Sequence, residues 1–329
     1  MSCALNLSPR ALEILACREL PEWQSWQWQL AHTLSASDFG IQDYPKFPLR
    51  VTPYYATLAD LNAGATDPIA RQFLVAQEEF LPDDFSPDPF GETAHAAIAP
   101  GIKQRYPDRI LAMMNVTCST YCRHCTRRGL LGQACRADLE TLIAAIQARP
   151  TIREVLLSGG DPLLLPDEEV LRWVNALTAL PQLDAVRLCT RTPVVLPMRW
   201  TDTLIEALAT SGRVWVQTQF NHPNELSPEV QTLATRLARA GIPVSNQSVL
   251  LRGINDDPAV MAKLCAGLQR NRIRPYYIFL CDPIAGINHF RTSVQTAQDM
   301  RQYLLNHLGG LACPRVVADL PDATHKTDV

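Results

Sequence analysis

Hydrophobic and polar positions change their pattern near residue 110 of the chain. Beyond that point, short apolar runs alternate with longer stretches in which apolar residues recur at helical spacing. This alternation is typical of strand–helix units and predicts a parallel sheet covered by helices. The predicted strands are 110–116, 154–159, 185–191, 213–220, 243–251, 274–280 and 314–319. The predicted helices are 138–149, 167–180, 227–241 and 258–271.

The succession of units predicts an α/β fold, a partial (β/α)6-type, TIM-like barrel of parallel strands. In such barrels the active site lies at the carboxyl ends of the strands. Polar residues and cysteines fall at several of these ends, at 117–128, 158–161, 221–222 and 281–282. A doubly wound open sheet is the alternative fold.

Residues 1–109 have a different pattern, with tryptophan-rich helical stretches around 21–35 and a Pro- and Asp-rich passage at 82–93. We interpret 1–109 as an N-terminal helical cap with a lead-in segment, and 110–329 as the barrel domain.

Composition narrows the choice of partners. The formal net charge of −3 and the pI near 6.2 provide no general attraction to nucleic acid or anionic lipid, so we expect neither as a partner. No window holds the run of about 18 apolar residues that a membrane span needs. The sequence therefore predicts a soluble, cytoplasmic protein.

Three of the ten cysteines form a cluster, C-x3-C-x2-C, at Cys118, Cys122 and Cys125. The other seven are scattered singly, and we interpret them as buried thiols. They are Cys3, Cys17, Cys135, Cys189, Cys265, Cys281 and Cys313.

Three thiolates on one loop can coordinate one centre. Structural zinc takes four ligands, and His124 is a candidate for the fourth. An iron–sulfur cluster normally takes four cysteines, so three would leave one iron open and reactive. Three unliganded core cysteines are the remaining alternative.

The cluster spacing, on the loop after the first barrel strand, resembles the motif of the radical S-adenosylmethionine enzymes. The runs CSTYCRHCTRR, LLSGGDPLLL, RTPVVLP, FNHPNE, NQSVLLRGIND, RPYYI and HFRT are similar to the lysine 2,3-aminomutase family. This resemblance implies a 4Fe–4S cluster on the three cysteines, S-adenosylmethionine at the open iron, and pyridoxal 5'-phosphate as a third cofactor.

The resemblance also implies where the cofactors bind. Lys326, in the C-terminal segment 319-DLPDATHKT-327, takes the Schiff-base position of pyridoxal phosphate and is the catalytic lysine. The family's glycines before it are replaced by Asp322, Ala323, Thr324 and His325, which predicts a stiffer loop. The remaining implied cofactor contacts are Arg105 and Arg109 for the phosphate, and Ser158, Gly159, Gly160, Asp161, His222 and Gln247 for S-adenosylmethionine.

For the substrate, the resemblance implies that Arg127 binds the carboxylate, while Asp282 and Asp319 bind a side-chain ammonium. Two carboxylates favour a cationic side chain, lysine first and then ornithine or arginine. The implied reaction converts L-lysine to β-lysine, an isomerisation in which a 5'-deoxyadenosyl radical drives a 1,2-amino shift on a pyridoxal phosphate aldimine.

Several alternatives are open at this stage. A mutase of the same family acting on arginine, ornithine or alanine is one, and an enzyme making β-lysine for elongation factor P is another. A metal-stabilised binding module is the non-enzyme alternative. We expect a flavodoxin- or ferredoxin-type electron donor. Longer family members continue past the lysine with a segment that assembles the oligomer, whereas this sequence ends at Val329, so a homo-oligomer is left open.

Overall fold

The computed structural model describes residues 5–42, 47–88, 90, 97–130, 135–320, 323 and 325–329. Its strands are β1 (Leu34–Ser35), β2 (Arg50–Val51), β3 (Ala97–Ala99), β4 (Ile102–Tyr106), β5 (Arg109–Asn115), β6 (Glu154–Gly159), β7 (Ala185–Cys189), β8 (Val214–Thr218), β9 (Val244–Leu250), β10 (Arg274–Leu280), β11 (Arg315–Ala318) and β12 (Thr327–Asp328). Seven of these strands, β5 to β11, fall close to the predicted ones, while β1 to β4 and β12 were not predicted.

The helices begin at recognisable caps. Ser227 accepts from the backbone N–H of Val230, and Asp257 accepts from that of Ala259, as N-cap residues do. The helices are α1 (Pro9–Ala16), α2 (Trp26–Ala31), α3 (Pro53–Ala56), α4 (Leu139–Gln147), α5 (Asp167–Thr178), α6 (Thr192–Val195), α7 (Asp202–Thr210), α8 (Pro228–Arg239), α9 (Pro258–Arg270) and α10 (Val294–His307).

The sheet confirms the predicted fold class. Strands β5 to β11 are all parallel and lie side by side in chain order. A doubly wound sheet would reverse its strand order at a switch point, and these seven strands contain no such reversal. The fold is therefore an α/β partial barrel, with the carboxyl ends of its strands along one edge.

The two faces of this sheet differ in composition. Val155, Leu157 and Leu188 point to one face and are fully buried in the main hydrophobic cluster with the helices. Alternate residues such as Leu156 and Arg187 point to the other face and are only half-buried. Side chains alternate along a strand. The fully buried apolar residues therefore face the helices, and the half-buried residues lie on the opposite face of the sheet.

Antiparallel strands extend the sheet at both edges, which the sequence did not predict. At one edge β3 pairs with β4, and β4 pairs with β5; at the other, β12 pairs with β11. The sheet therefore crosses the expected domain boundary between residues 109 and 110, and the division itself stays a prediction. No helix within the described ranges is long and apolar enough to cross a bilayer.

The scattered cysteines are less buried than expected. Cys265 and Cys281 are buried, whereas Cys17, Cys189 and Cys313 are half-buried and Cys135 is exposed. The prediction of a buried thiol is wrong for Cys135, which lies in the loop before α4. Cys3 lies outside the described residues.

The N-terminal segment packs against the barrel helices and reaches the cysteine loop. The Tyr54 hydroxyl lies 2.6 Å from the Ser227 hydroxyl before α8. Arg123, between two of the clustered cysteines, donates to the backbone carbonyl of Pro48 at 2.9 Å. The segment thus covers the loop that follows β5.

A buried charge network holds this contact in place. Glu79 accepts hydrogen bonds from Arg123 Nε at 2.9 Å and from Arg128 Nη2 at 2.6 Å. Burial alone would raise the pKa of Glu79, but the two guanidiniums bring it below the usual value. The Glu79 and Arg123 side chains are fully buried, so each charge depends on its partner.

We expect Glu79→Gln to destabilise the protein by about 3–5 kcal/mol, because it leaves two buried guanidiniums without their carboxylate. Urea unfolding followed by circular dichroism measures this loss. Glu78→Gln, at the exposed neighbouring position, is the matched control and should change the unfolding free energy by less than about 0.5 kcal/mol. Equal effects of the two variants would contradict a role for the buried network.

Candidate active site

The three clustered cysteines lie at the carboxyl end of β5 and line one pocket. Its other lining residues include Arg127, Gly159, Gly160, Met113, Val116 and Tyr121. Cys118, Cys122 and Cys125 are each partly exposed and therefore are not packed into the core. The loop, the end of β6 and the N-terminal segment, through Phe47, form the walls of this pocket.

A glycine turn at the end of β6 brings the backbone close to the cysteine loop. Gly160 N–H donates to the Asn115 carbonyl at 2.7 Å, and Asp161 N–H donates to the Thr117 carbonyl at 2.8 Å. A Cβ atom on Gly160 would lie 2.3 Å from the Thr117 carbonyl oxygen. Only glycine fits this approach, so the turn positions the loop directly after β5.

The surroundings of the thiols disfavour their ionisation. Burial raises the pKa of Cys118, with Asp161 and the neighbouring thiols acting in the same direction, and burial together with Cys122 raises the pKa of Cys125. Cys122 Sγ accepts a hydrogen bond from Arg191 Nη1 at 2.8 Å. Thiolates in such a place need a cation or a metal centre to balance their charge.

His124 does not join the thiols. Its Nε2 lies 3.3 Å from the side-chain amides of both Gln219 and Asn221, and burial keeps its pKa well below the usual value. Among the described residues, no three His, Cys, Asp or Glu side chains are grouped to hold a single metal ion. This counts against a zinc loop closed by His124. An iron–sulfur cluster binds its thiolates through separate irons, so the three-cysteine donor set fits it.

Arg127 lies beside this pocket. Its backbone N–H donates to Cys125 Sγ at 3.4 Å, and its Nη1 lies 3.5 Å from the Ser158 hydroxyl. The structure therefore brings the predicted carboxylate ligand and one predicted S-adenosylmethionine contact together with the cysteines. Their roles as ligands stay predictions.

The other predicted S-adenosylmethionine contacts have internal partners. The Asp161 carboxylate accepts from the Thr190 hydroxyl at 2.7 Å and from Arg191 N–H at 2.9 Å, and burial raises its pKa. Gln247 Nε2 donates to Gln217 Oε1 at 3.1 Å. His222 Nδ1 accepts from Asn224 N–H at 3.2 Å within its own turn, and burial lowers its pKa.

A second group of charges surrounds Lys326. Its Nζ forms an ion pair with Asp319 and lies 5.2 Å from the centre of the Phe279 ring and 5.5 Å from that of Tyr106. Arg105 Nη1 pairs with the other oxygen of Asp319 at 2.7 Å. Strand β4 carries Arg105 and Tyr106, with Tyr106 opposite Arg109 of β5, and Asp319 directly follows β11.

Asp282 belongs to the same group. Burial and the negative charge of Asp319 raise the pKa of Asp282 to about 7, while Lys326 and Arg105 oppose the rise. A positive charge beside Asp282 would favour its ionised form.

Arg109 also contacts the Tyr106 ring. Its guanidinium is 4.0 Å from the centre of the Tyr106 ring, and its Nη1 lies 3.4 Å from Asp108. Two arginines, one lysine and two aromatic rings thus meet near β4. This set fits a planar anionic cofactor such as pyridoxal phosphate, with Lys326 as the amine.

Sequence reasoning missed several residues of the site. Arg191, Glu225, Gln72 and Tyr55 form a buried network beside Cys122. Arg191 and Glu225 stood in the quoted runs RTPVVLP and FNHPNE, but local spacing carries no sign of contacts between distant segments. The one signal available from the sequence was an arginine at the end of a predicted strand.

Comparison with known protein families supports this description of the site. The Radical SAM superfamily model matches residues 114–265, which contain the cysteine loop, the glycine turn and four of the parallel strands, β6 to β9. Together with the barrel and the three cysteines, this match defines the class: a radical S-adenosylmethionine enzyme, which uses a 4Fe–4S cluster and S-adenosylmethionine.

Individual relatives identify the family to which the chain belongs within this class. The L-lysine 2,3-aminomutase of Methanococcus maripaludis is 38% identical over 94% of this chain and 76% of its own. That of Bacillus subtilis is 38% identical over 94% of this chain and 70% of its own. The glutamate 2,3-aminomutase of Clostridioides difficile is 35% identical over 93% of this chain and 76% of its own. The chain belongs to the lysine 2,3-aminomutase family and is an isomerase of the amino-acid 2,3-aminomutase type.

We expect Gly160→Ala to reduce cluster incorporation at least severalfold, because its Cβ would collide with the backbone at Thr117 and displace the cysteine loop. Iron and sulfide content after anaerobic reconstitution measures the effect. Gly309→Ala is the control, since a Cβ at that position meets no atom within 4 Å. Full iron content in Gly160→Ala would contradict this account of the turn.

Proposed function

We propose that this enzyme interconverts L-lysine and β-lysine by moving the α-amino group to the adjacent carbon. The observation that carries the proposal is the pair of carboxylates, Asp282 and Asp319, next to Lys326. An ammonium bound beside Asp282 would offset the burial and the negative charge of Asp319, which raise the pKa of Asp282. The ε-ammonium of lysine would supply this positive charge.

Three bound groups supply the chemistry of this proposal. The cluster and S-adenosylmethionine supply a carbon radical, and pyridoxal phosphate supplies a conjugated system that stabilises an unpaired electron. Cys118, Cys122 and Cys125 would hold the cluster, with the glycine turn beside it. Lys326 would hold pyridoxal phosphate, with Arg105 and Arg109 at its phosphate.

The protein's own contribution is positioning. Arg127, beside the cysteine pocket, would bind the substrate carboxylate, a task suited to the planar guanidinium. Asp282 and Asp319 would bind the ε-ammonium at the far end of the substrate. Fixing both ends holds the carbon between them toward the cluster pocket, and the apolar lining at Met113 and Val116 limits access of water.

The family also includes an enzyme named for glutamate. An acidic side chain would add a negative charge beside Asp282, whose pKa burial and Asp319 already raise, so a cationic side chain is favoured. Within the cationic amino acids, length separates lysine from ornithine and arginine. We also propose a low-potential ferredoxin or flavodoxin as electron donor, and the cytoplasm as the place of reaction.

The direct test is anaerobic incubation of the reconstituted enzyme with S-adenosylmethionine, pyridoxal phosphate, a reductant and one amino acid at a time. Lysine, ornithine, arginine, alanine and glutamate are compared, and α and β isomers are resolved by chromatography. We expect β-lysine as the dominant product. Faster conversion of any other amino acid would overturn the substrate assignment while leaving the family intact.

We expect Lys326→Ala to abolish mutase activity and to prevent covalent retention of pyridoxal phosphate, because it removes the amine that lies beside the Tyr106 and Phe279 rings. Borohydride reduction followed by peptide mass spectrometry locates the cofactor in the wild-type protein. Lys263→Ala, on the exposed side of α9, is the control. Labelling at a lysine other than Lys326 would contradict the assignment.

We expect lysine binding to weaken as the pH falls below about 7. The raised pKa of Asp282 means that it is protonated there, and ion pairing with the ε-ammonium then first requires loss of that proton. The apparent Kd should rise by up to about tenfold per pH unit below the pKa.

Calorimetric titration of the pyridoxal-phosphate-loaded protein between about pH 6 and pH 8 measures this dependence. Asp282→Asn should bind lysine more weakly and lose the pH dependence, since it removes the titrating carboxyl. A wild-type Kd that does not change over this range would contradict the role of Asp282.

A further inference from the structure

Arg191 is a charged side chain in hydrogen-bond contact with a cluster cysteine. Its Nη1 donates to Cys122 Sγ at 2.8 Å. The sulfur of Cys125, by comparison, accepts from the neutral backbone N–H of Arg127 at the longer distance of 3.4 Å. Of these two contacts, the one to Cys122 comes from a charged group and the one to Cys125 does not.

Several hydrogen bonds hold Arg191 in place. Its Nη2 donates to Glu225 Oε1 at 2.8 Å and lies 3.0 Å from the Tyr55 hydroxyl. Its Nε donates to the Gln219 carbonyl at 3.1 Å, and its backbone N–H donates to Asp161 at 2.9 Å. These partners come from the N-terminal segment and from the segments that follow β6 and β8, so the contact with Cys122 is built into the fold.

Glu225 is the counter-charge of this arrangement. Its side chain is fully buried, and that of Arg191 is 10% exposed. Besides Arg191 it accepts from the Tyr55 hydroxyl at 2.6 Å and from the backbone N–H of His222 at 2.9 Å. Screening by water is weak at such a place, so both charges act strongly on a neighbouring centre.

We propose that Arg191 tunes the reduction potential of the cluster through Cys122, and that Glu225 moderates this effect. Reduction adds one electron, from a low-potential donor of the ferredoxin or flavodoxin class, and one negative charge to the cluster without making or breaking a bond. A donated N–H and a nearby positive charge stabilise the reduced form and raise the potential. The inference rests on the cluster of the radical S-adenosylmethionine class and not on the identity of the substrate.

The test is an anaerobic redox titration of the reconstituted full-length protein, followed by electron paramagnetic resonance of the reduced cluster. Arg191→Gln removes the charge, and we expect the ratio of reduced to oxidised cluster at a fixed ambient potential to fall about tenfold, which corresponds to about 59 mV for one electron. Glu225→Gln removes the counter-charge, and we expect that ratio to rise.

Shifts of the reduction potential in opposite directions in the two variants distinguish tuning of the cluster from general damage to the site. Both variants disturb the same buried network, so loosening of the site would move the two potentials in one direction. An unchanged potential in Arg191→Gln, or shifts of the same sign in both variants, would overturn the proposal.

Arg199→Gln is the matched control, because Arg199 is a fully buried arginine whose Nε and Nη2 donate to the carbonyls of Leu163 and Leu165. We expect it to leave the potential unchanged. A shift as large as that of Arg191→Gln would assign the effect to buried charge in general and overturn the proposal.

If Arg191→Gln does not retain its cluster, the wild-type protein provides the test. With guanidino-¹⁵N-arginine incorporated, pulsed resonance of the reduced cluster should show a ¹⁵N coupling that Arg191→Lys lacks. The absence of any ¹⁵N coupling in the wild-type protein would overturn the proposal. A wild-type protein that takes up no iron at all would instead contradict the class.

Discussion

Two buried carboxylates, Glu79 and Glu225, determine how the cysteine loop is held. The loop has little regular structure of its own, and it carries Arg123 and Arg128 among its cysteines. Glu79 pairs with both of these guanidiniums, while Glu225 pairs with Arg191, which touches Cys122. Buried charges of this kind tolerate little displacement, so the network fixes the loop more firmly than apolar contacts alone would.

The sheet then places this loop next to a second, different set of charges. Parallel strands in chain order bring all their carboxyl ends to one edge, where the glycine turn after β6 lies against the loop. The antiparallel additions β4 and β12 complete the other set, because β4 carries Arg105 and the segment before β12 carries Lys326. The cysteine loop and the charges around Lys326 are thus held by different strands of one continuous sheet.

Much of this could be predicted from the sequence. Strands such as β6 and β10 were found to the residue, because a buried parallel strand is an unbroken apolar run between polar ends. The strand β4 was missed, since its sequence IKQRY is mostly polar, and α10 was missed, since Val294 and Leu305 on it are exposed and blur its period. The contact between Arg191 and Cys122 joins residues 69 positions apart, and no local pattern carries that information.

In the proposed reaction, the amino group of lysine moves within one molecule from C2 to C3. Nuclear magnetic resonance of the product made from lysine labelled with ¹⁵N at the α-amino group and with ¹³C at C2 and C3 tests this transfer. We expect the one-bond ¹³C–¹⁵N coupling to disappear from C2 and to appear at C3. A product with unlabelled nitrogen at C3, or no transfer of the coupling at all, would contradict it.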